Sequence, residues 1–515
     1  MTKNLVKAAG LLLIINICVK LLGFLREMVI ASGFGASSLT DAYLAAYTLP
    51  YFLQSVLGYA FVSAILPELS GCWVEGGDNR RACRLGSTLI NITAGGMGVL
   101  SLIGILTAKW LIFLTAPGLS GDTEELAVNM ARVIFPLMIF MSSGMVVSAI
   151  LNSRYRFAAA ALAPGICSLV IILAVVFLAR GNIYVLAWAT LAGFVAFFLI
   201  QLADLRKIGF HYSFCWDLRD PAVKRVLANI VPIMLALSVT QIYTVVNRIF
   251  ASGLAEGSIS ALNYANKLMN LPLGVFVAAI ITAAFPALAE KARLADKSEI
   301  TATVKRGFNM VVLLALPSAV GLTMLDGEII RFLFERGSFT PANTLLTTEA
   351  LTTMAPGLFF LAISMLLVRV YFALHDVKTP LLAGIVSVAV NVAISLLLTG
   401  AMGVGGLSLA NTIAAAVNAL WLLAGLARRL PLLNDGMIGK VLLQSCIGSA
   451  AMSVPVVLGK LLWSHVSGKL GLAIELAVLL LLAVAVYFAV LKLLHCPAMD
   501  DAFRSLLRRN RRKTA

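Results

Sequence analysis

Charged side chains interrupt a long apolar run near the start of the chain. Lys20, Arg26 and Glu27 lie in or beside the stretch VKLLGFLREM at 19–28. A cationic side chain near the centre of a bilayer costs roughly 2.5–3.5 kcal/mol on insertion scales. Because a helix that only anchors the chain would not carry this cost, the charges predict that the segment binds something.

The polar residues of this segment share one face of the predicted helix. Asn16, Lys20, Gly23 and Glu27 follow i, i+4, i+7 and i+11 spacing, and Arg26 flanks that face. Gly23 has no Cβ, so a ligand or another backbone can approach closely there. The face therefore offers both the charges and the space that a polar ligand needs.

Two later segments bring further polar residues to predicted helices. Asp41 opens the second predicted helix, where a carboxylate suits the positive end of the helix dipole. In the eighth, Asn266 and Asn270 belong to a polar stripe, and Lys267 lies next to it. The predicted substrate-binding residues are Asn16, Lys20, Gly23, Arg26, Glu27, Asp41, Asn266, Lys267 and Asn270.

Cations outnumber nearby acids in the segments predicted to lie within the membrane. The cations are Lys20, Arg26, Arg132, Arg248, Lys267 and Arg369, and the acids are Glu27 and Asp41. Snorkelling or packing is the best explanation for Arg132, Arg248 and Arg369. For the other cations, the excess of positive charge favours an anionic ligand such as a phosphate or pyrophosphate headgroup. The competing interpretation is ion pairing with the two acids.

The composition is that of a polytopic membrane protein. The chain has 515 residues, 60% of them hydrophobic and 12% charged, whereas soluble domains carry about 25% charged residues. The net charge of +16 indicates basic cytoplasmic loops rather than nucleic-acid binding, because the basic residues are scattered over short segments. The seven cysteines include no CxxC pair, so neither a disulfide framework nor a zinc site is predicted.

Apolar stretches of membrane-spanning length predict an all-α protein of about fourteen helices. With both termini cytoplasmic, roughly 28 of the 40 Lys and Arg residues lie inside and about 6 outside. An added or missing helix would destroy this asymmetry. The predicted spans are 9–31, 42–66, 86–114, 127–151, 158–179, 183–203, 228–254, 262–287, 308–326, 348–373, 381–401, 405–427, 438–459 and 470–493.

The two halves of the helical region resemble each other at an offset close to 220 residues. The matches are 29–50 with 249–272, 64–70 with 283–289, and Pro136 with Pro356. Because the repeat unit holds an even number of helices, both copies share one orientation. We therefore predict two six-helix lobes related by a pseudo-twofold axis along the membrane normal, plus two extra C-terminal helices.

The predicted domains follow from this repeat. An N-terminal lobe covers 1–220, a C-terminal lobe 221–430, and helices 13 and 14 with a basic cytoplasmic tail 431–515. Paired lobes of this kind bind a substrate between them and rock against each other. No nucleophile elbow, ATP-binding loop or metal-ligand spacing appears, so we predict a transporter without a metal or cofactor rather than an enzyme.

Five blocks of the chain together resemble one known family. They are KLLGFLRE, FGASSLTDAYLAAYTLP, NYANKLMNLPLGV, FLFERGSFT and LHDVKTP. The chain resembles the MurJ (MviN) family of lipid II flippases, in the multidrug/oligosaccharidyl-lipid/polysaccharide exporter superfamily. The resemblance implies a multi-pass bacterial inner-membrane protein that flips undecaprenyl-pyrophosphate-linked peptidoglycan precursor from cytoplasm to periplasm by alternating access.

The resemblance also implies where the substrate and partners lie. A cationic central cavity would bind the pyrophosphate and sugar, and a groove at helices 13 and 14 would bind the polyprenyl tail. Membrane lipids are expected contacts, and cell-wall synthesis proteins are candidate partners.

The family's site residues carry over unevenly. Arg26 matches the second arginine of the family's first helix, Lys20 stands at the first, and Asp41 matches its acid at the start of helix 2. Lys267 stands at the position of a helix-8 arginine, and lysine keeps the charge but loses the bidentate fork. After TLP, where the family normally has arginine, this chain reads YFLQSVLGY. One expected phosphate partner is missing.

Some relatives carry a cation site between helices 7 and 11. Here Asn247, Asn391 and Ser395 occupy that region without a carboxylate, so a sodium site is not predicted. Other functions weighed against lipid II flipping are flipping of another polyprenyl-linked saccharide, drug export, a channel and a non-transporting scaffold of cell-wall synthesis. The cationic excess disfavours export of organic cations and is not needed by a scaffold, and the two-lobe repeat disfavours a channel.

Overall fold

The computed structural model describes residues 2–75, 79–277, 280, 288, 297–430, 436–462 and 468–499. Within these ranges every regular element is helical, which confirms the predicted all-α fold. The basic tail beyond residue 499 and most of the repeat segment 283–289 lie outside the described residues. The chain divides into two compact units, Met1–Ser260 with Arg336–Thr340, and Ala261–Glu335 with Pro341–Ala515. The division at 220 and 430 stays a prediction.

The first unit is built from long apolar helices joined by short loops. Its helices are α1 (Thr2–Phe34), α2 (Ser38–Glu75), α3 (Asn79–Leu106), α4 (Ala108–Thr115), α5 (Asp122–Ile134), α6 (Leu137–Ser153), α7 (Phe157–Leu178), α8 (Ile183–Lys207) and α9 (Pro221–Ser252). Asp220 caps α9 by accepting a 2.7 Å hydrogen bond from the Ala222 amide, with Pro221 at the first helical position. Both residue types favour a helix start.

The second unit takes most of α10 (Ser258–Pro272), which continues into a π-helical turn, Leu273–Val277. Its further helices are α11 (Lys297–Met324), α12 (Asp326–Phe334), α13 (Pro341–Met354), α14 (Gly357–Ala373), α15 (Lys378–Ala427), α16 (Met437–Leu462) and α17 (Lys469–Leu493). The last two are the predicted extra helices, and they pack against each other.

Membrane-spanning helices are abundant in the described ranges. Nine helical stretches there are long and apolar enough to cross a membrane, or ten if α13 and α14, bent by 49°, form one span. With 50 residues, α15 is too long for a single crossing of a roughly 30 Å hydrocarbon core. Gly403, with non-helical φ 53° and ψ −130°, interrupts it between the predicted spans 381–401 and 405–427. The count of fourteen is therefore compatible with the structure.

The two halves share helix breaks at a constant offset. Pro136 precedes α6 and Pro356 precedes α14, and each of these helices has 17 residues. Proline has no backbone N–H to donate to the carbonyl four residues earlier, which interrupts the hydrogen-bond ladder of the helix. Tyr155 and His375, in the turns after α6 and α14, both adopt positive φ, at 57° and 58°. The matching breaks support the internal repeat.

Within the first unit, small residues allow close helix packing. The helix α2 packs on α5, α6 and α9, and α7 packs on α1 and α8. A Cβ at Gly104 would lie 2.2 Å from the Phe135 ring, and one at Gly144 would lie 2.5 Å from the Phe197 ring. Small residues at such interfaces are typical of membrane helices, because association there depends on close van der Waals packing.

Within the second unit, buried tyrosines bridge helices. The Tyr487 hydroxyl of α17 donates a 3.0 Å hydrogen bond to the Leu313 carbonyl of α11. The Tyr371 hydroxyl of α14 donates a 2.9 Å bond to the Leu422 carbonyl of α15. Each buried hydroxyl thus has a partner, and each ring fills the space between two helices.

Candidate substrate-binding site

The predicted polar stripe on α1 changes from open to packed along the helix. Asn16 and Lys20 are exposed, and a Cβ at Gly23 would meet nothing within 4 Å. Arg26 is half-buried, and Glu27 is only 5% exposed. The N-terminal part of the stripe is therefore accessible to a ligand, whereas its C-terminal part belongs to the packed helix ends.

Arg26 and Glu27 form an ion pair. The Arg26 Nη2 atom donates a 2.7 Å hydrogen bond to Glu27 Oε1, and 23% and 7% of the two side chains remain exposed. A charged group this deeply buried needs a partner, because desolvation otherwise costs several kcal/mol. Arg26 is therefore paired with Glu27, which is the alternative that the sequence offered to anion binding.

Three tyrosines of α2 lie near this pair and were not predicted as site residues. The rings of Tyr43, Tyr47 and Tyr51 stack in sequence, with centroids 6.1 and 5.2 Å apart. Tyr43 and Tyr47 lie within electrostatic range of the Arg26 guanidinium. Their i, i+4, i+8 spacing in DAYLAAYTLPYF was the available signal. Tyr43 is buried with its hydroxyl 2.9 Å from Thr190 Oγ1, whereas Tyr51 is 39% exposed.

Asp41 has partners within the chain. Its carboxylate accepts 2.8 Å hydrogen bonds from the backbone amides of Gly257 and Ser260, and it also accepts one from the Ser260 hydroxyl. It is 4% exposed. The predicted position of Asp41 in the first turn of α2 is confirmed. The carboxylate also makes contacts outside its own helix. It ties the start of α2 to the start of α10.

Further contacts tie the same helix ends together. Glu256 Oε1 accepts a 2.9 Å hydrogen bond from the Ser38 amide, which holds the pKa of Glu256 below its ordinary value. Gly257, at φ 84°, has room for no side chain, because a Cβ would lie 2.5 Å from the Ala36 carbonyl oxygen. Arg248, predicted as a packing residue, donates a 3.0 Å bond from Nε to Thr48 Oγ1.

The predicted residues of the second unit lie on α10. Asn266 and Asn270 are exposed, and Lys267 is half-buried between them. The Asn270 amide nitrogen donates to the Asn266 backbone carbonyl at 2.8 Å and also to its side-chain oxygen. The two asparagines therefore form one polar surface on this helix. The nine-residue site as a whole stays a prediction.

Comparison with known proteins decides the family. The family described as lipid II flippase MurJ matches residues 30–479. This chain belongs to the lipid II flippase MurJ family. It is 34% identical to the lipid II flippase MurJ of Burkholderia cenocepacia, over 79% of this chain and 81% of that protein. It is 31% identical to the probable lipid II flippase MurJ of Rhizobium tropici, over 92% and 91%.

Solved structures agree with the family assignment. A lipid II flippase MurJ structure in an inward closed conformation superposes with a TM-score of 0.79 at 26% identity, covering 96% of this chain and 99% of that one. An inward-facing multidrug resistance MATE transporter of the MOP superfamily gives 0.66 at 17% identity, covering 81% and 98%. The second likeness shows the shared fold alone.

Gln54 lies in the stretch of α2 after TLP, where the resemblance to the family leads us to expect an arginine. It is buried, and its Nε2 atom lies 2.7 Å from Met145 Sδ of α6. Ser55 bonds back to the Phe52 carbonyl of its own helix at 2.9 Å. Neither side chain reaches into open space, so this part of α2 serves packing in this MurJ-family member.

The region around Asn391 and Ser395, where some relatives are expected to bind a cation, contains amide groups. Asn391 Nδ2 donates a 2.8 Å hydrogen bond to Asn411 Oδ1, and Ser395 is buried nearby on the same helix. Across the described ranges, no three His, Cys, Asp or Glu residues lie together as metal ligands would.

Proposed function

We propose that this protein translocates lipid II, the undecaprenyl-pyrophosphate-linked peptidoglycan precursor, across the bacterial inner membrane. The observation that carries the proposal is the family match over residues 30–479. The many apolar helices and the exposed polar stripe of α1 are consistent with it. The protein acts as a transporter, and flipping requires no covalent chemistry on the substrate.

Lys20, Arg26 and Lys267 would bind the pyrophosphate. Arg26 already has an anionic partner, so pyrophosphate must compete with the Glu27 carboxylate for the guanidinium. A phosphate group can win this exchange because it carries more charge and accepts bidentate hydrogen bonds from arginine. On release, Glu27 pairs with Arg26 again, which lowers the cost of losing the substrate.

The remaining predicted residues suit the other parts of the substrate. Asn16, Asn266 and Asn270 are exposed amides that can bond sugar hydroxyls. Gly23 leaves room for the headgroup beside α1. The exposed leucines of α16 and α17 offer an apolar surface to the polyprenyl tail: Leu458, Leu461, Leu480 and Leu481.

Transport would proceed by alternating access of the two repeat-related lobes, 1–220 and 221–430, with both termini cytoplasmic. The headgroup would enter from the cytoplasmic side and leave on the periplasmic side. The bonds from Asp41 to the start of α10 would form or break during this cycle, since they link α2 of the first lobe to the second helix of the second repeat.

Two measurements together test the function. The gene should restore growth to a strain depleted of its own lipid II flippase, and the purified protein should flip fluorescent lipid II in proteoliposomes. Because Gln54 replaces the family's arginine, the competing substrate is another polyprenyl-linked saccharide. Faster flipping of such a lipid than of lipid II would favour that alternative, and growth without any flipping would favour the scaffold.

A further inference from the structure

Residues 209–220, between α8 and α9, form an extended segment along α3, and we call it the strap. Two polar side chains of α3 bond its backbone. Ser87 Oγ accepts a 3.1 Å hydrogen bond from the Ser213 amide, and Asn91 Nδ2 donates a 2.9 Å bond to the Cys215 carbonyl. The buried polar residues of α3 thus satisfy backbone groups of a non-helical segment.

Side chains reinforce the attachment of the strap. The Tyr212 hydroxyl donates a 2.6 Å bond to Asn91 Oδ1, and Arg84 pairs with Asp217 at 3.1 Å. The Trp216 ring covers Gly95, where a Cβ would lie 2.7 Å from the indole. Any side chain at that glycine would push the indole away, so the strap and α3 fit each other closely.

The outer face of the strap is aromatic and apolar. Its large exposed side chains lie two residues apart: Tyr212 is exposed by 55%, Phe214 by 79%, Trp216 by 51% and Leu218 by 53%. Residues two apart share one side of an extended chain. Four large apolar side chains in a row would be costly in water, which indicates a non-aqueous neighbour.

The position of the strap on α3 matches the depth of a bilayer interface. The 28 residues of α3 span about 42 Å, against a hydrocarbon core of about 30 Å. With Leu106 at the far boundary, the near boundary falls at about residue 86. On this placement Ser87 lies at the near boundary and Gly95 about 13 Å below it; if residue 114, the end of the predicted span, lies at the far boundary instead, Gly95 lies at the near boundary. On either placement the near boundary of the hydrocarbon core falls within the stretch of α3 that contacts the strap.

The face of α3 that carries the strap continues as a lipid-facing stripe. Beyond Gly95 the exposed large residues of α3 are Val99, Leu102, Ile103 and Leu106, at helical spacing. The strap thus lies on the same surface that lipid contacts further along the helix. Non-helical backbone at this depth is tolerated only where protein groups satisfy it, as the side chains of α3 do here.

Exposed basic residues surround the strap. They are Arg80 and Arg81 at the start of α3, Arg206 and Lys207 at the end of α8, and Arg219 within the strap. Basic side chains beside aromatic ones are the combination expected at a membrane surface that bears anionic headgroups.

We propose that the strap is an interfacial membrane anchor, seated among the headgroups and upper acyl chains of an anionic leaflet rather than in the aqueous phase. Tyr212, Phe214, Trp216 and Leu218 insert into the leaflet, and the surrounding arginines and lysines bind its phosphates. Ser87 and Asn91 make this possible because they satisfy the inserted backbone. The proposal is independent of the transported substrate.

Fluorescence of Trp216 tests the position of the strap. A variant with Trp216 as its single tryptophan, the other five replaced by phenylalanine, is reconstituted into phosphatidylglycerol vesicles. Lipids brominated near the headgroup should quench Trp216 strongly, and aqueous iodide should quench it weakly. Trp188, exposed on the membrane-spanning α8, is the matched single-tryptophan control. Iodide quenching as strong as that of free tryptophan, without quenching by the brominated lipids, would overturn the proposal.

A second experiment tests the role of α3. In a background where Cys215 is the only accessible thiol, Asn91→Ala should raise its labelling by a water-soluble maleimide about fivefold, the effect of losing one hydrogen bond. Thr93→Val changes a buried polar residue on the opposite face of α3 and should leave labelling unchanged. Equal labelling of Asn91→Ala and Thr93→Val would show that the side chain of Asn91 does not hold the strap in the leaflet.

Discussion

The pair of Arg26 and Glu27 allows ligand binding to be separated from ion pairing. Arg26→Ala removes the guanidinium that lies 2.7 Å from a carboxylate only 7% exposed. Breaking a fully buried pair from one side costs about 3–5 kcal/mol. The Arg26 side chain is 23% exposed, so this pair is not fully buried. We therefore expect Arg26→Ala to lower the free energy of unfolding by roughly 2–3 kcal/mol, which is the range for one charged hydrogen bond. A single alanine variant therefore confounds stability with function.

The double variant Arg26→Ala with Glu27→Gln resolves this confusion. Glutamine is neutral, so we expect stability to return to within about 1 kcal/mol of wild type. Flipping should stay reduced by about 10- to 100-fold, because a charged hydrogen bond to pyrophosphate is worth about 1.5–3 kcal/mol. Thermal unfolding in detergent measures the first quantity, and fluorescent lipid II in proteoliposomes the second. Glu27→Gln alone is the control and should bind substrate more tightly. Wild-type flipping by the double variant would refute our reasoning, since Arg26 would then serve only to neutralise Glu27.

Three further predictions concern single residues. Lys20→Arg should retain most of the flipping activity and Lys20→Met should lose it, because we assign Lys20 a fixed charge; an active methionine variant would remove Lys20 from the site. Asp41→Asn should lower the unfolding temperature more than Ser260→Ala, because it leaves one buried amide without an acceptor at a cost of about 1–3 kcal/mol; calorimetry showing no loss would contradict this. The amide and hydroxyl of Thr379 hold the pKa of Asp376 below its ordinary value. The stability that this contact provides is thus present above the unfolded pKa of about 3.9 and is lost as the pH falls below it. The unfolding temperature of Asp376→Asn should therefore fall less than that of the wild type between about pH 5 and pH 3. An identical pH profile for both proteins would argue against it.

Hydropathy predicted where the helices lie because the bilayer enforces helical structure on every apolar run. Only one of three interior breaks at proline or glycine agrees with a predicted boundary: Gly403 interrupts α15 between the predicted spans 381–401 and 405–427. Pro136 and Pro356 lie inside the predicted spans 127–151 and 348–373, yet each precedes a new helix. The break at Thr107 between α3 and α4 was not predicted. The run 86–114 is apolar throughout, and hydropathy does not report a local change of backbone direction within it.

The strap shows a second limit of such patterns. Its flanking arginines and lysines led the positive-inside rule to assign the whole segment to the cytoplasm. The large apolar residues from Tyr212 to Leu218, which support the proposed anchor, form a stretch too short to register in a membrane-length window. The backbone contacts with Ser87 and Asn91, which place the segment along α3, are not readable from the sequence.

The ion pair on α1 agrees with the competing interpretation of the sequence, which helix spacing alone did not favour. Residues i and i+1 do not face each other on a helix, yet the long Arg26 side chain turns back to reach Glu27. With Gln54 buried and neutral, this pairing leaves the first unit's predicted site less positive at rest than the count of arginines and lysines implied. The charge of Arg26 would become available to a ligand only when Glu27 gives up its partner. The affinity of this protein for pyrophosphate should therefore depend on Glu27 as much as on Arg26, because the carboxylate sets the free energy that the substrate must supply to displace it.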